Sequence, residues 1–360
     1  MSHREQLSAE VRNYCVSSPS PAACMTPEEE PVCVADPSSI IYVPIEPLPV
    51  CEQPLPPQNA TSFAALPPDP CAPMPGQNAF VPEDNTFQAI LSQLRSMPLA
   101  QRLECVSRRF LGTPYKLDPL GEGNAGLVDQ DPMFRFDALD CMTYVEEVLA
   151  MSHATSFDTF LGTLQSIRYH GGVGTYGLRN HFVEADWIDE NSGNGFLRDI
   201  TVGIGGELAG TMDMPIDRAG WIDNKENLSQ CEKSTARMEL AELGLGGPQQ
   251  VVLDFLPLSA FFGDCPEADE LNSSLIDMLP EVSIAVFLRK EEAAKKFGVM
   301  VAHMGLLLVP VQKDGSRGEP MLRHASSRAN AVIEEPLLPY LKSQENIRAG
   351  VTILEPREKP

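Results

Sequence analysis

Apolar residues recur at helical spacing in the first part of the patterned region. The pattern predicts two helices within residues 86–111, interrupted at Pro98, a third helix that begins at Cys141, and a fourth over residues 156–169. In the third helix the apolar face continues through Val145 and Leu149. A loop-rich stretch follows and occupies the middle of the chain.

The last third of the chain changes to a strand pattern. Apolar and β-branched runs predict strands at residues 282–288, 299–311, 320–325 and 350–354, with a short helix near residues 336–342. Helices first and strands later indicate an α+β domain, in which a helical layer packs on a mostly antiparallel sheet.

The first 85 residues differ from the rest in composition. They hold 17 of the 32 prolines, 11 acidic residues against two arginines, and five of the nine cysteines. Such a segment buries too little apolar surface to offset its chain entropy. We therefore predict a disordered, proline-rich arm over residues 1–85 and one folded domain over residues 86–360. Disulfides within the arm are compatible with this composition, but no pairing can be assigned.

Charge and hydropathy exclude several classes of function. The formal net charge is −23 and no run of Lys or Arg could follow a phosphate backbone, so nucleic acid is not an expected partner. No segment has 18 uninterrupted apolar residues, and the N-terminus lacks the apolar stretch of a Sec signal. We therefore expect no membrane span, and either a cytoplasmic location or export by a non-Sec route. The oligomeric state is left open.

Cys141 lies where a nucleophilic thiolate is expected, in the first turn of a predicted helix with Asp140 as its N-cap. A helix N-terminus carries roughly half a positive charge, and a cysteine there can have its pKa lowered from about 8.5 to about 3.5–7.5. The alternative is a buried core cysteine.

A cysteine nucleophile needs a base within hydrogen-bond reach and a third polar group that orients the base. His303 and His324 lie in consecutive predicted strands, which a hairpin can place side by side. His170 and His181 lie in segments rich in glycine or containing tryptophan, where polar groups are typical of a cleft.

Four short segments point to a known family. LGTPY (111–115), DC (140–141), HMGLLL (303–308) and HASS (324–327) resemble, in this order, the signature segments of the NlpC-type papain-like cell-wall peptidases. Five others, CMTYVE (141–146), IRY (167–169), RNHF (179–182), DWI (186–188) and DIT (199–201), resemble the N-acetylmuramoyl-L-alanine amidase-like family of that superfamily. The resemblance covers about residues 86–357 and does not include the arm.

The resemblance implies a papain-like domain whose nucleophile helix packs on the sheet, with Cys141 as nucleophile, His303 as base and His324 as the orienting residue. It implies cysteine-dependent hydrolysis, without a cofactor or metal, of the amide between N-acetylmuramic acid and L-alanine in peptidoglycan fragments. Anhydromuropeptides are candidate substrates. The alternative activity is a γ-D-glutamyl-diamino-acid endopeptidase acting on stem peptides.

Substrate contacts are expected from residues around these segments. A tryptophan can stack on a sugar face, and an arginine can hold a carboxylate of the stem peptide. The candidates are Tyr115, Asp140, His181, Trp187, Arg168 and Arg179; ordinary packing or surface roles are the alternative for each of them.

Two other classes of protein compete with this interpretation. A zinc amidase could use His170, His181 and a carboxylate, but these have no recognised ligand spacing, and the cysteine motif would be left unexplained. An interaction protein could act through the proline-rich arm, which would leave Cys141 and the histidines without a role.

Overall fold

The structure is a computed structural model that describes residues 71–72, 85–263 and 270–358. The expected arm therefore lies outside the described residues, except for positions 71, 72 and 85. The α-helices are α1 (Asn85–Leu94), α2 (Leu99–Arg109), α3 (Cys141–His153), α4 (Phe157–Arg168), α5 (Ile188–Gly193), α6 (Thr201–Gly205), α7 (Arg218–Asp223), α8 (Gln230–Glu242), α9 (Ser273–Met278), α10 (Glu291–Phe297) and α11 (Leu337–Gln344). None of them combines the length and apolar character needed to cross a bilayer.

Eight strands form one sheet in the described residues. They are β1 (Leu197–Asp199), β2 (Gly210–Ile216), β3 (Gln249–Pro257), β4 (Val282–Arg289), β5 (Val301–Leu308), β6 (Met321–Ser326), β7 (Ala331–Pro336) and β8 (Arg348–Pro356). The order is β2-β3-β8-β4-β5-β6-β7, with β1 paired to β8, and every pairing between these strands is antiparallel. The predicted α+β architecture is confirmed.

Apolar clusters cover both faces of the sheet. One joins the first four helices to β5 through residues such as Val148 and Leu306, and the other includes Phe287, Leu307 and Tyr340. Successive residues of a strand point to opposite faces, so the neighbours Leu306 and Leu307 belong to different clusters. Burial on both faces fixes β5 and its neighbours, which carry the candidate site.

The middle of the chain is more structured than its pattern predicted. Instead of a loop-rich stretch, it contains the antiparallel pair β2 and β3, with α7 and α8 between them. In β2 the buried residues Met212, Met214 and Ile216 alternate with exposed ones, which is the signal that could have identified the strand. Pro215 is tolerated there because β2 lies at the end of the strand order, where one side makes no ladder bonds.

A disulfide joins Cys71 to Cys105 of α2. Composition had left open how the cysteines of the arm pair. The bond connects a residue of the expected arm to a buried position of the helical layer, since Cys105 is buried. It therefore attaches the chain before α1 to the same layer that packs on β5.

Candidate active site

Cys141 is the first residue of α3, as the sequence predicted. Asp140 caps the helix, because its carboxylate accepts the backbone N–H groups of Met142 and Thr143 at 3.1 and 2.9 Å. The Thr143 side chain in turn meets the backbone N–H of Asp140 and completes a capping box. The second carboxylate oxygen of Asp140 accepts the N–H of Asp118 at 3.1 Å. Asp140 is therefore occupied in fixing the loop and the helix start that carry Cys141.

The surroundings of Cys141 favour a protonated thiol. Burial, followed by the negative charge of Asp140, raises the pKa of Cys141 to about 12. The backbone N–H of Met304 donates toward the sulfur and acts in the opposite direction, as do the N–H groups of the first turn. The expected lowering of the pKa by the helix N-terminus is thus wrong for this structure, because desolvation is the largest effect.

His303, His324 and Glu335 form a hydrogen-bonded chain across three consecutive strands. His303 Nε2 lies 2.6 Å from His324 Nδ1, and His324 Nε2 lies 2.9 Å from Glu335 Oε1. The chain begins one residue before Met304, whose N–H meets the Cys141 sulfur. The structure thus brings the two predicted histidines together and adds a carboxylate that the sequence analysis missed.

The carboxylate decides which ring nitrogens carry protons. An ionised Glu335 only accepts, so His324 carries its proton on Nε2 and presents the lone pair of Nδ1 to His303. His303 must then donate through Nε2, which leaves a lone pair on its Nδ1. No hydrogen bond to a described residue engages that nitrogen. This arrangement makes His303 Nδ1 a proton acceptor.

Both histidines are held neutral. Burial lowers the pKa of His303 well below 6.5, and the nearby His324 and Arg348 act in the same direction. Burial also lowers the pKa of His324, against the opposing hydrogen bond to Glu335. Tyr340 packs edge-on to His324, with ring centroids 5.4 Å apart. A neutral imidazole and a protonated thiol are resting states suited to general-base catalysis.

Tyr115 lies near the nucleophile. Its backbone N–H donates to the carbonyl of Asn330 at 3.0 Å, and Tyr115 forms a parallel bridge with Leu139, just before the cap, through hydrogen bonds of its two chain neighbours. Burial and the charges of Cys141 and Asp140 raise the pKa of the phenol to about 12. The phenol therefore stays protonated and can donate a hydrogen bond beside Cys141.

The two arginines expected to bind substrate are occupied within the protein. Arg168 is buried and forms an ion pair with Glu146 at 2.7 Å. Arg179 is bound by Glu122 and Asp129, the second at 3.0 Å. Neither guanidinium is available to a stem carboxylate, so this expectation is corrected. Arg168 instead links the end of α4 to α3, and Arg179 links the segment after α4 to the loop before α3.

The predicted sugar-stacking tryptophan is also corrected. Trp187 is 0 % exposed and belongs to the main apolar cluster, so no sugar can reach its ring. His181 is partly buried and packs against Trp221, with ring centroids 4.9 Å apart. Trp221 is itself partly exposed and lies under the ammonium of Lys225 at 4.0 Å. Trp221 is thus a partly exposed aromatic ring that the sequence analysis did not single out.

The described residues contain no group of three or more His, Cys, Asp or Glu side chains arranged to hold a metal ion. His170 instead approaches Glu190 at 3.0 Å, and His181 Nε2 lies 2.8 Å from the carbonyl of Tyr176. These residues therefore offer no ligand set for the zinc ion that the alternative interpretation requires.

Comparison with known proteins identifies the family. The chain matches the model of the AmiA-like family, described as N-acetylmuramoyl-L-alanine amidase-like, over residues 105–350. The match spans more than half of the chain, so the protein belongs to this family of amidase-like peptidoglycan hydrolases. None of the curated proteins matches the chain.

Solved structures are similar along most of their length. A Legionella pneumophila protein described by the family model DUF1460 is 27% identical, with a TM-score of 0.65, over 76% of this chain and 95% of that one. An N-acetylmuramoyl-L-alanine amidase from Bacteroides uniformis is 26% identical, with a TM-score of 0.51, over 72% and 99%. A Bacteroides fragilis protein described as a candidate xylanase is 24% identical over 69% and 98%, with a TM-score of 0.51, and shows likeness of fold alone.

Proposed function

We propose that the protein hydrolyses the amide between N-acetylmuramic acid and L-alanine in peptidoglycan fragments, with Cys141 as nucleophile. Anhydromuropeptides are included among the proposed substrates. The observation that carries the proposal is the chain from His303 through His324 to Glu335, which starts next to the residue that contacts the Cys141 sulfur. Membership of an amidase-like family supports the choice of an amide as the bond that is cut.

The chemistry follows from the roles of these groups. His303 Nδ1 takes the thiol proton while the sulfur attacks the lactyl carbonyl, and the carbonyl electrons move to its oxygen. Tyr115 and backbone N–H groups at the start of α3 are the proposed donors to that oxyanion. The charged imidazole then gives its proton to the leaving nitrogen of L-alanine, and a thioester remains. Water, deprotonated by His303, hydrolyses the thioester and restores the thiol.

The placement within the NlpC-type papain-like superfamily is part of this proposal. It is supported by a cysteine at the start of a helix that packs on an antiparallel sheet, with histidines on consecutive strands of that sheet. The alternative activity of that superfamily is cleavage after D-glutamate in the stem peptide. Likeness to the Bacteroides uniformis amidase favours the first bond over the second.

Mass spectrometry of disaccharide-peptides digested by the full-length protein tests the proposal. Amidase activity releases the free sugar and an intact stem peptide. Endopeptidase activity instead leaves L-Ala-D-Glu attached to the sugar and releases the remainder of the stem. The second product pattern would contradict the proposed bond, and digestion with anhydro and reduced sugars in parallel measures the preference for the anhydro form.

Replacing Glu335 with glutamine should lower kcat by a factor on the order of 10²–10⁴. The glutamine amide can donate to His324 Nε2 and so favours a proton on Nδ1, which faces His303 Nε2. His303 would then carry its own proton on Nδ1 and could not accept one from the thiol. Steady-state kinetics on a muropeptide measures the loss.

Glu334→Gln is the matched control, because Glu334 is the neighbouring residue on β7 and pairs with Arg323 instead. It should retain kcat. Equal losses in the two variants would show that the Glu335 substitution acts through general damage to β7.

The two tryptophans should respond differently to replacement by alanine. We propose Trp221 as the sugar contact, so Trp221→Ala should lower kcat/KM about tenfold for a disaccharide-peptide, because remote sugar contacts help to position the scissile amide. An N-lactoyl peptide without the sugar should be affected much less. Trp187→Ala should instead lower the free energy of unfolding by about 3–5 kcal/mol, since it empties a core position. A Trp221→Ala enzyme that loses both substrates equally would contradict the sugar contact.

A further inference from the structure

Two arginines at the ends of adjacent strands have no anionic partner among the described residues. Arg289 of β4 and Arg348 of β8 are direct register partners, and both are partly buried. The Nε atom of each is buried without a hydrogen-bond partner. No carboxylate of a described residue forms an ion pair with either guanidinium. Arg289 stacks over Phe297 of α10, with the guanidinium carbon 5.1 Å from the ring centroid.

Arg289 and Arg348 contrast with four other arginines of low exposure. Those four each form an ion pair with a carboxylate, and the pairs are Arg168 with Glu146, Arg179 with Glu122, Arg218 with Asp186 and Arg323 with Glu334. The chain has 50 acidic residues against 27 basic ones, so carboxylates are abundant. Two cations left together and unpaired therefore need an explanation other than a shortage of partners.

The arrangement works against the stability of the unliganded protein. Burial lowers the pKa of both arginines, and the charge of Arg348 lowers that of Arg289 further. An unpaired, partly buried charge next to a like charge costs free energy. Glu184 favours the charged form of Arg289, but its carboxylate accepts the N–H of Met300 at 2.6 Å and forms no ion pair with the arginine.

The pair lies beside the candidate active site. Arg289 is two residues along β4 from Phe287, the direct register partner of His303. The charge of Arg348 acts on His303, and a thiolate at Cys141 would interact favourably with both arginines. An anion held by Arg289 and Arg348 would therefore lie close to the reacting amide.

We propose that Arg289 and Arg348 form a carboxylate subsite that binds the free α-carboxylate of D-glutamate in the stem peptide. The inference rests on the proposed function, because it takes a muropeptide as substrate. The γ-linked D-glutamate follows L-alanine directly, so its α-carboxylate is the first anionic group on the leaving side of the scissile amide. Guanidinium groups match a carboxylate with paired N–H donors, and both side chains are partly exposed and form no ion pair with a described carboxylate. The subsite thus replaces Arg168 and Arg179 as the place where the stem is recognised.

Two substrates that differ in one group test the subsite with the full-length enzyme. MurNAc-L-Ala-D-Glu carries the α-carboxylate, and MurNAc-L-Ala-D-isoglutamine carries a neutral amide in its place. The wild-type enzyme should prefer the carboxylate by about 10- to 100-fold in kcat/KM, mainly through KM. Arg348→Gln and Arg289→Gln should each remove most of this preference by weakening only the carboxylate substrate.

Thermal unfolding separates this role from a structural one. Because each arginine is a partly buried charge without a described ion pair, its replacement by glutamine should leave the melting temperature of the unliganded protein unchanged or raise it. Arg198→Gln is the control with the same charge change, since Arg198 is exposed on β1 and pairs with Glu355. It should keep the substrate preference. Arg348→Lys, which retains the charge but not the paired donors, should recover only part of the preference.

A binding measurement tests the subsite independently of the proposed function. N-acetyl-L-Ala-D-Glu and its D-isoglutamine analogue are titrated into full-length Cys141→Ala and into Cys141→Ala with Arg348→Gln. Tighter binding of the carboxylate peptide that is lost in the Arg348→Gln variant supports the subsite. If the wild-type enzyme nevertheless cleaves neither muramyl substrate, only the proposed function fails. Equal binding of the two peptides overturns the subsite, as does an equal loss of kcat on both substrates in the arginine variants.

Discussion

Replacing Cys141 with alanine should abolish muropeptide hydrolysis, with a loss in kcat on the order of 10⁶. The substitution removes only the sulfur atom, and the capping box of Asp140 and Thr143 that begins the helix stays intact. Without the sulfur no thioester can form, and water is too weak a nucleophile to replace it. Turnover on a disaccharide-peptide measures the loss, and circular dichroism with thermal unfolding checks that the fold is retained.

Cys231 of α8 provides a matched control for this substitution. Cys231→Ala should keep the wild-type rate, and a Cys141→Ala enzyme that also kept it would refute the nucleophile assignment. Alkylation by iodoacetamide adds a pH test. Because the pKa of Cys141 is raised to about 12, its alkylation rate in the free enzyme should rise continuously from pH 7 to pH 10. A plateau near pH 7 would indicate a thiolate resting state instead.

The elements that carry the candidate site could be predicted because their signals are local. Helical spacing and an Asp140 cap located the start of α3, and apolar runs located β4, β5, β6 and β8. The family resemblance, read from short segments, is confirmed by the family match over residues 105–350. The roles of Cys141, His303 and His324 remain proposals, although the structure places the two histidines in direct contact.

The parts that could not be predicted depend on long-range pairing. Glu335 reaches His324 only through the register of β6 and β7, which a run of residues does not reveal. Arg168 is occupied by Glu146, 22 positions away, and Trp187 and Trp221 differ in burial rather than in local sequence. Whether a given arginine or tryptophan is accessible to a stem peptide or a sugar depends on its partners in the fold. Those partners cannot be read from the local sequence.

The raised pKa of Cys141 has the same origin. A helix N-terminus is visible in sequence, and its field favours a thiolate. The desolvation that outweighs this field comes from burial against the main apolar cluster, whose members lie on segments distant in the chain. Sequence therefore predicts where the thiol lies, whereas packing decides its protonation state. A protonated thiol makes the adjacent base more important, because the proton has to be removed during attack.

His303→Ala should therefore be nearly as damaging as Cys141→Ala, with a loss in kcat of at least about 10⁴-fold. In the proposed mechanism the imidazole both accepts the thiol proton and returns it to the leaving nitrogen. His324→Ala should retain more activity, since the proposed role of His324 is only to orient His303 through Nδ1. Steady-state kinetics on one muropeptide, at a fixed pH above 6.5, compares the three single variants.

The double variant Cys141→Ala with His303→Ala decides whether the two residues act as one unit. Its residual rate should be close to that of Cys141→Ala alone, because a base without its nucleophile contributes nothing further. Losses that multiply in the double variant would show that His303 supports hydrolysis independently of the thiol. Thermal unfolding of each variant tests whether activity is lost through lost stability. This control is needed because His303 packs against Phe287 with ring centroids 6.0 Å apart, and its removal leaves a small cavity there.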